Sequence, residues 1–434
     1  MTERPSSPTP ASRVSAFTLA NGLRVFLRED HRAPLVSAQL WYHVGSSYEP
    51  EGHTGLSHAL EHLLFEGSSK LPGGQYSSSL MTHLGGEANA FTLPDATFFP
   101  LTLPASRLEI ALEAMADIMA SATLSDAPFA RELAVVMAER REDVDNDPWS
   151  QALEHHLLLA YDNRGYGTPT IGYKTDLGHM TPAAARTWYR TWYHPNNATL
   201  AVAGDITLAQ LQTLVTRHFA AIPAHRLPAR QIPVEPSSLV RRVQTLRQQG
   251  LHTGVIISFN LPSQCTARSD SQAYALRLLP QILAQGQASI LQRLLVREET
   301  VLQGVWSDYE PWQRGDSLLT FYAFCSPQVA PEAAAERLLM EIEAFRQSAP
   351  SKEDLQRAKA RLLAEQLFDR DDIGKQAEAI GKQAACGLDP VALEDERQAI
   401  EAVTAEQVGL AAYDFLTESR TTITFTHHKE SADE

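Results

Sequence analysis

His58, Glu61 and His62 fall within five consecutive residues, His58-Ala-Leu-Glu-His62, inside the longer run Thr54-Gly-Leu-Ser-His-Ala-Leu-Glu-His-Leu-Leu-Phe-Glu-Gly67. Good helix formers fill the run, with Thr54 as an N-cap and Gly67 as a stop, so the sequence predicts a helix. Residues four apart on a helix share a face, so both imidazoles can meet one tetrahedral cation. Glu61, three after His58, looks the same way. Its carboxylate can reach a water at that cation without becoming a ligand, which is the general-base arrangement of an inverted zinc motif. Leu56, Leu60, Leu63 and Leu64 make the helix strongly apolar. Three ionisable groups buried together are costly unless they are paired or bind a metal.

A catalytic zinc takes three protein ligands and keeps one position open for water. Two histidines leave one ligand to find. The segment Phe129-Ala-Arg-Glu-Leu-Ala-Val-Val-Met-Ala-Glu-Arg-Arg-Glu142 reads as another helix, with Glu132 and Glu139 two turns apart on one side. One of them can bind the metal while the other holds a histidine ring. Spacing alone leaves Glu132, Glu139 and Glu142 all open.

These helices need a frame. At 434 residues the chain is longer than one core usually supports. A stretch from Ile222 to Pro236 carries Pro223, Pro228, Pro233 and Pro236 and reads as an extended linker. The expected division is 1–222, a linker 223–244, and 245–434. Asn21-Gly22 marks a hairpin turn, and Val36 to Gly45 reads as a strand. Leu108, Leu112, Met115 and Met119, like Leu208, Leu211, Leu214 and Phe219, follow helical spacing. Three pairs recur in the same order: Val36–Gly45 with Gly254–Leu261, Val135–Glu139 with Arg361–Glu365, and Ala198–Gly204 with Thr421–Phe425. This order favours an internal duplication. The expected class is α+β: two homologous domains, each a mostly antiparallel sheet with helices on one face.

Composition narrows the function. Charged residues at 21% and hydrophobic residues at 44% are ordinary for a globular chain. A net charge of −15 disfavours nucleic acid, and no apolar run is long enough to span a membrane. Cys265, Cys325 and Cys386 form no Cys-x-x-Cys pair, so buried free thiols are expected. Met1–Arg13 lacks the layout of a signal peptide, and the expected location is soluble, cytoplasmic or periplasmic.

The chain resembles the pitrilysin (insulinase) family of metallopeptidases, in its short two-domain form similar to processing-peptidase subunits, from Leu19-Ala-Asn-Gly-Leu23 to Thr421-Thr-Ile-Thr-Phe425. The specific part is His58-Ala-Leu-Glu-His62 followed by Glu139, 77 residues on. The resemblance implies that Glu139 completes a Zn2+ site with His58 and His62, that Glu61 is the catalytic base, and that Glu132 supports a ligand. It also implies that Gly85-Gly-Glu-Ala-Asn-Ala-Phe-Thr92 pairs with the substrate backbone through Asn89 and Ala90. Arg297 stands at the position of a family arginine that grips substrate, but its companion tyrosine, seven residues on, is Gly304 here. The second half also has no histidine in Gln285–Arg293. The implied function is a zinc metalloendopeptidase acting on peptides or short unfolded polypeptides in a chamber formed by two chains. Its partner is a second copy or a related subunit that supplies the Arg and Tyr. The alternative is a non-catalytic scaffold or core subunit of a larger complex.

Overall fold

The computed structural model describes residues 13–71, 73, 82–229, 232–236, 239–392 and 396–429. Most of the Met1–Arg13 stretch and part of the Pro-rich linker therefore lie outside the described residues. The first half runs β1 (Val14–Thr18), β2 (Arg24–Glu29), β3 (Leu35–Tyr42), α1 (Leu56–Leu64), α2 (Thr82–Leu84), β4 (Glu87–Ala88), β5 (Phe91–Thr92), β6 (Thr97–Pro104), α3 (Leu108–Ser121), α4 (Asp126–Arg140), α5 (Pro148–Ala160), α6 (Arg164–Gly167), α7 (Lys174–His179), α8 (Pro182–Trp192), β7 (Ala198–Gly204) and α9 (Leu208–Phe219). The second runs β8 (Arg242–Gln248), β9 (Gly254–Leu261), α10 (Asp270–Leu283), β10 (Leu302–Tyr309), β11 (Ser317–Cys325), α11 (Pro331–Arg346), α12 (Lys352–Asp369), α13 (Ile373–Cys386), α14 (Glu396–Ala402), α15 (Ala405–Phe415) and β12 (Thr421–His428).

Each half builds its own mixed sheet with helices, an α+β architecture written twice. The strand order is β1-β2-β7-β3-β6-β4, with β5 also on β6, in the first sheet and β8-β12-β9-β11-β10 in the second. Laid side by side, β2-β7-β3-β6-β4 and β8-β12-β9-β11-β10 match in order and in sense. The β2–β7 and β8–β12 pairs are parallel, and the remaining pairs are antiparallel. Local chemistry agrees with the topology. Asn21 and Gly22, the latter at φ +89°, make the turn between β1 and β2. Capping boxes at Thr207/Gln210 and Thr404/Gln407 start the equivalent helices α9 and α15.

The strands β3 and β9 are buried on both faces, because each half lends a helix to the other. On β3, Val36, Ala38, Leu40 and Tyr42 point into the main core, whereas Trp41 points outward under α13, a helix of the second half. Trp41 stacks on Phe98 at 3.9 Å, and Gln39 donates to the Gly374 carbonyl. Residue 381 must be glycine here, since a Cβ would sit 2.0 Å from the Trp41 indole nitrogen. In return, α5 of the first half covers the outer face of the second sheet. His156, fully buried, hydrogen-bonds Thr424 Oγ1 at 2.7 Å and Ser258 Oγ at 2.6 Å, and Asn260 donates to the Ala160 carbonyl. Arg314 ties the halves together again, bonding the His43 and Ala385 carbonyls and the Tyr48 hydroxyl.

Burial pushes the His156 imidazole down to about 3. The unfolded chain takes up this proton near the ordinary value of 6.5, and the folded chain does not. His156 therefore contributes full stability above pH 6.5 and loses it as pH falls towards 3, at about 1.4 kcal/mol per unit. Urea melts of the parent and of His156→Gln between pH 7 and pH 5 check this. The parent should lose stability more steeply, by up to one proton's worth of slope; equal slopes would exclude it.

Candidate metal centre

Helix α1 carries the candidate residues and starts one residue later than the sequence suggests. Gly55, at φ +83°, is its cap, and the Thr54 side chain does not cap it. Instead the Thr54 hydroxyl donates to Asp176 Oδ2 at 2.8 Å and accepts from the Tyr173 amide. The first turn is capped from a distance by Glu49, whose two carboxylate oxygens accept from the Gly55 and Ser57 amides at 2.7 and 2.6 Å. Burial drives the Glu49 carboxyl up to about 8 against the pull of those hydrogen bonds. No spacing rule flags Glu49, which acts only through the loop that folds it back.

Downstream of that cap, the two imidazoles stand edge to face, with ring centroids 4.8 Å apart. Helix α4 lies against α1 and brings Glu139 to both rings. One oxygen, Glu139 Oε2, is 3.4 Å from His62 Nε2 and 3.8 Å from His58 Nε2. These separations are too long for good hydrogen bonds. They are close to the ~3.4 Å that separates two ligand atoms on a tetrahedral zinc with bonds of about 2.0–2.1 Å. The other His62 nitrogen, Nδ1, faces Glu132 Oε2 at 3.6 Å, longer than a hydrogen bond but on the side from which a carboxylate can orient a ligating ring. The donor set therefore fits a divalent metal. Of the three glutamates left open by spacing, Glu139 faces both rings, Glu132 faces the back of one, and Glu142 sits exposed in the π-helical turn Arg141–Asp145.

Burial, with His62 adding to it, lowers the His58 imidazole to about 4, so it is neutral and free to ligate at ordinary pH. Glu61, also buried, completes a cluster in which His58, Glu61 and His62 keep one ligand atom each within 4.8 Å of one another. Its Oε2 accepts a 2.6 Å hydrogen bond from Thr92 Oγ1. That bond leaves Glu61 turned towards β5, whereas Glu139 reaches both rings at once. Burial raises the Glu61 carboxyl above its ordinary value, partly offset by the Thr92 hydroxyl and by His62. An upward shift moves a carboxylate towards the range useful to a general base.

The expected strand Gly85–Thr92 is broken into β4 and β5, with Asn89 and Ala90 in the gap between them, and β5 runs beside this base. Asn89 is exposed and Ala90 buried between β4 and β5, at the edge of the first sheet. Such an edge can take another strand. Arg297 lies elsewhere, exposed in the π-helical turn Gln292–Glu298. Among the described residues, no hydrogen bond or ion pair joins it to His58, Glu61, His62 or Glu139. Gly304 lies on β10 with open space where a side chain would project, so packing does not require a glycine there.

Two family matches divide the chain. Residues 24–173 match the family described as Insulinase (Peptidase family M16), and residues 179–362 match Peptidase M16 inactive domain. The chain is 27% identical over 350 residues to the zinc protease PqqE of Helicobacter pylori, covering 79% of this chain and 77% of that one. It is 23% identical over 397 residues to the beta subunit of the mitochondrial-processing peptidase of Dictyostelium discoideum, covering 86% and 80%. Among solved structures, a protease from Helicobacter pylori superposes with a TM-score of 0.88 at 24% identity, over 96% of this chain and all of that one. The periplasmic protease PqqL of Escherichia coli superposes with a TM-score of 0.79 at 19% identity, over 97% of this chain and 48% of that one. At these identities the superpositions establish the fold alone.

Proposed function

Because the chain belongs to the insulinase family, peptidase family M16, we propose that it is a zinc metalloendopeptidase whose metal is held by His58, His62 and Glu139. The observation that carries this reading is the convergence of two imidazole Nε2 atoms on one Glu139 oxygen, with the Glu61 carboxylate beside them. Relatives named as zinc proteases support the metal and the reaction class. When bound, zinc supplies a Lewis acid that polarises the scissile carbonyl and acidifies water. Glu61 takes the proton from the attacking water and returns it to the leaving amine, so the carboxylate ends as it began. The Thr92 hydroxyl holds Glu61 in reach, Glu132 keeps the His62 ring turned, and Glu139, 38% exposed, marks the side open to solvent.

Substrate is expected to lie in extended form along Asn89–Ala90, pairing through main-chain hydrogen bonds with the edge that β4 forms among the described strands of the first sheet. Such pairing suits peptides and short unfolded polypeptides rather than folded proteins. The division of labour between two chains rests on Arg297 and Gly304. With the tyrosine position empty, this chain is the zinc-bearing subunit, and a second chain contributes the Arg and Tyr across a shared chamber. Metal analysis with mixed-peptide cleavage tests both levels. One zinc per chain with cleavage only after a related subunit is added fits the proposal, and brisk cleavage by the chain alone removes the partner from it. One zinc per chain without cleavage in any mixture would favour the scaffold reading.

A further inference from the structure

We infer that Arg140 is a positioning residue that fixes Glu139 against His58 and His62 by tying the end of α4 to the start of α1; this rests on the metal site proposed above. Glu139 lies in the last turn of α4, and the chain then loosens into the π-helical turn Arg141–Asp145. Its carboxylate faces the two imidazoles and lies near Glu61, and among the described residues no hydrogen bond holds it in place, so the backbone of that turn decides where it stands. Arg140, the next residue and about 100° round the helix, is buried. Its Nη1 donates to the Gly172 carbonyl at 2.6 Å, and Nη1 and Nη2 grip Glu154 at 3.1 and 3.2 Å. Asp145 Oδ1 lies 3.2 Å from Nε, at an angle short of a hydrogen bond.

Gly172 carries the constraint to the metal helix. It sits at φ +86° against Gly55, the α1 cap, so tightly that a Cβ on Gly172 would lie 2.6 Å from the Gly55 amide nitrogen and Cα. The following residues, Tyr173 and Asp176, bind Thr54, and Glu49 grips the same turn from the other side. One planar guanidinium thus joins the segment that carries the third ligand to the segment that starts the helix of the first two. Lysine, a single point charge, cannot reproduce the two-nitrogen grip on Glu154 while it also bonds the Gly172 carbonyl.

The test is Arg140→Lys, with zinc affinity read by competition against a chromophoric chelator and melting temperature read in chelator, both without substrate. The expected result is a roughly 10–100-fold loss of zinc affinity, the size seen for outer residues that orient ligands, with metal-free melting within a few degrees of the parent. In Arg140→Ala, millimolar guanidinium should restore part of that affinity. It can enter by the 350 Å³ cavity that Arg140 shares with Asp145, Gln151, Glu154 and Lys174. Unchanged zinc affinity overturns the inference, as does a metal-free destabilisation large enough to account for the whole zinc loss. A parent that binds zinc but cleaves nothing defeats the proposed reaction and leaves this inference standing, whereas a parent that binds no zinc defeats both.

Discussion

Glu61→Gln is expected to retain one zinc per chain and to lower kcat for peptide hydrolysis by about 10²–10⁴-fold, the usual worth of a positioned general base. Glutamine keeps the shape of the side chain and an oxygen that still accepts from Thr92. What it loses is the ability to carry a proton from water to the leaving amine. The measurement pairs metal analysis with initial rates on an unfolded peptide, in the presence of whatever partner the parent requires. Glu61 also lies in the cluster with His58 and His62, so the same variant separates two roles. Loss of zinc along with activity would make Glu61 a ligand and sink its assignment as the base.

Glu139→Gln should lower zinc affinity by more than about 100-fold, beyond the range typical of residues that only orient a ligand. The amide removes the charge that two neutral imidazoles cannot supply, and zinc left with two ligands is poorly held. Glu132→Gln, which leaves all three proposed ligands in place, should fall within about 10–100-fold. Glu142→Gln, exposed in the turn beyond, should change nothing. Chelator competition on the three variants therefore ranks the glutamates that helix spacing left undecided. A weaker effect at Glu139 than at Glu132 would reverse the proposed roles.

The parts of this site that can be read from the sequence are those set by local periodicity. His58, Glu61 and His62 share a face because a helix repeats every 3.6 residues, and the hairpin at Asn21-Gly22 announces itself through its turn residues. Which glutamate is placed to complete the site is not local, because Glu132 and Glu139, two turns apart on α4, and Glu142, in the turn after it, are all compatible with the spacing, and only the packing of α4 on α1 distinguishes them. The start of α1 misleads for a related reason. Thr54 has the chemistry of a cap, yet its hydroxyl is engaged by Asp176, far along the chain, and Glu49 takes over the cap. The duplication was visible as faint repeats, and the matched strand orders give it a structural basis. The lent helices were not visible. Ser258 and Asn260 look like solvent-facing positions of a half-buried strand, and only α5, arriving from the other half, explains why both are buried.

That mutual loan of α5 and α13 bears on how such a chain could arise. A solitary ancestral unit with this topology would leave one side of its sheet bare, but two identical units lending each other a helix would cover both. The present chain has the layout of such an interlocked pair made permanent by a tether. In such a pair the second half, with no histidine in Gln285–Arg293, serves the first as a wall, through α13.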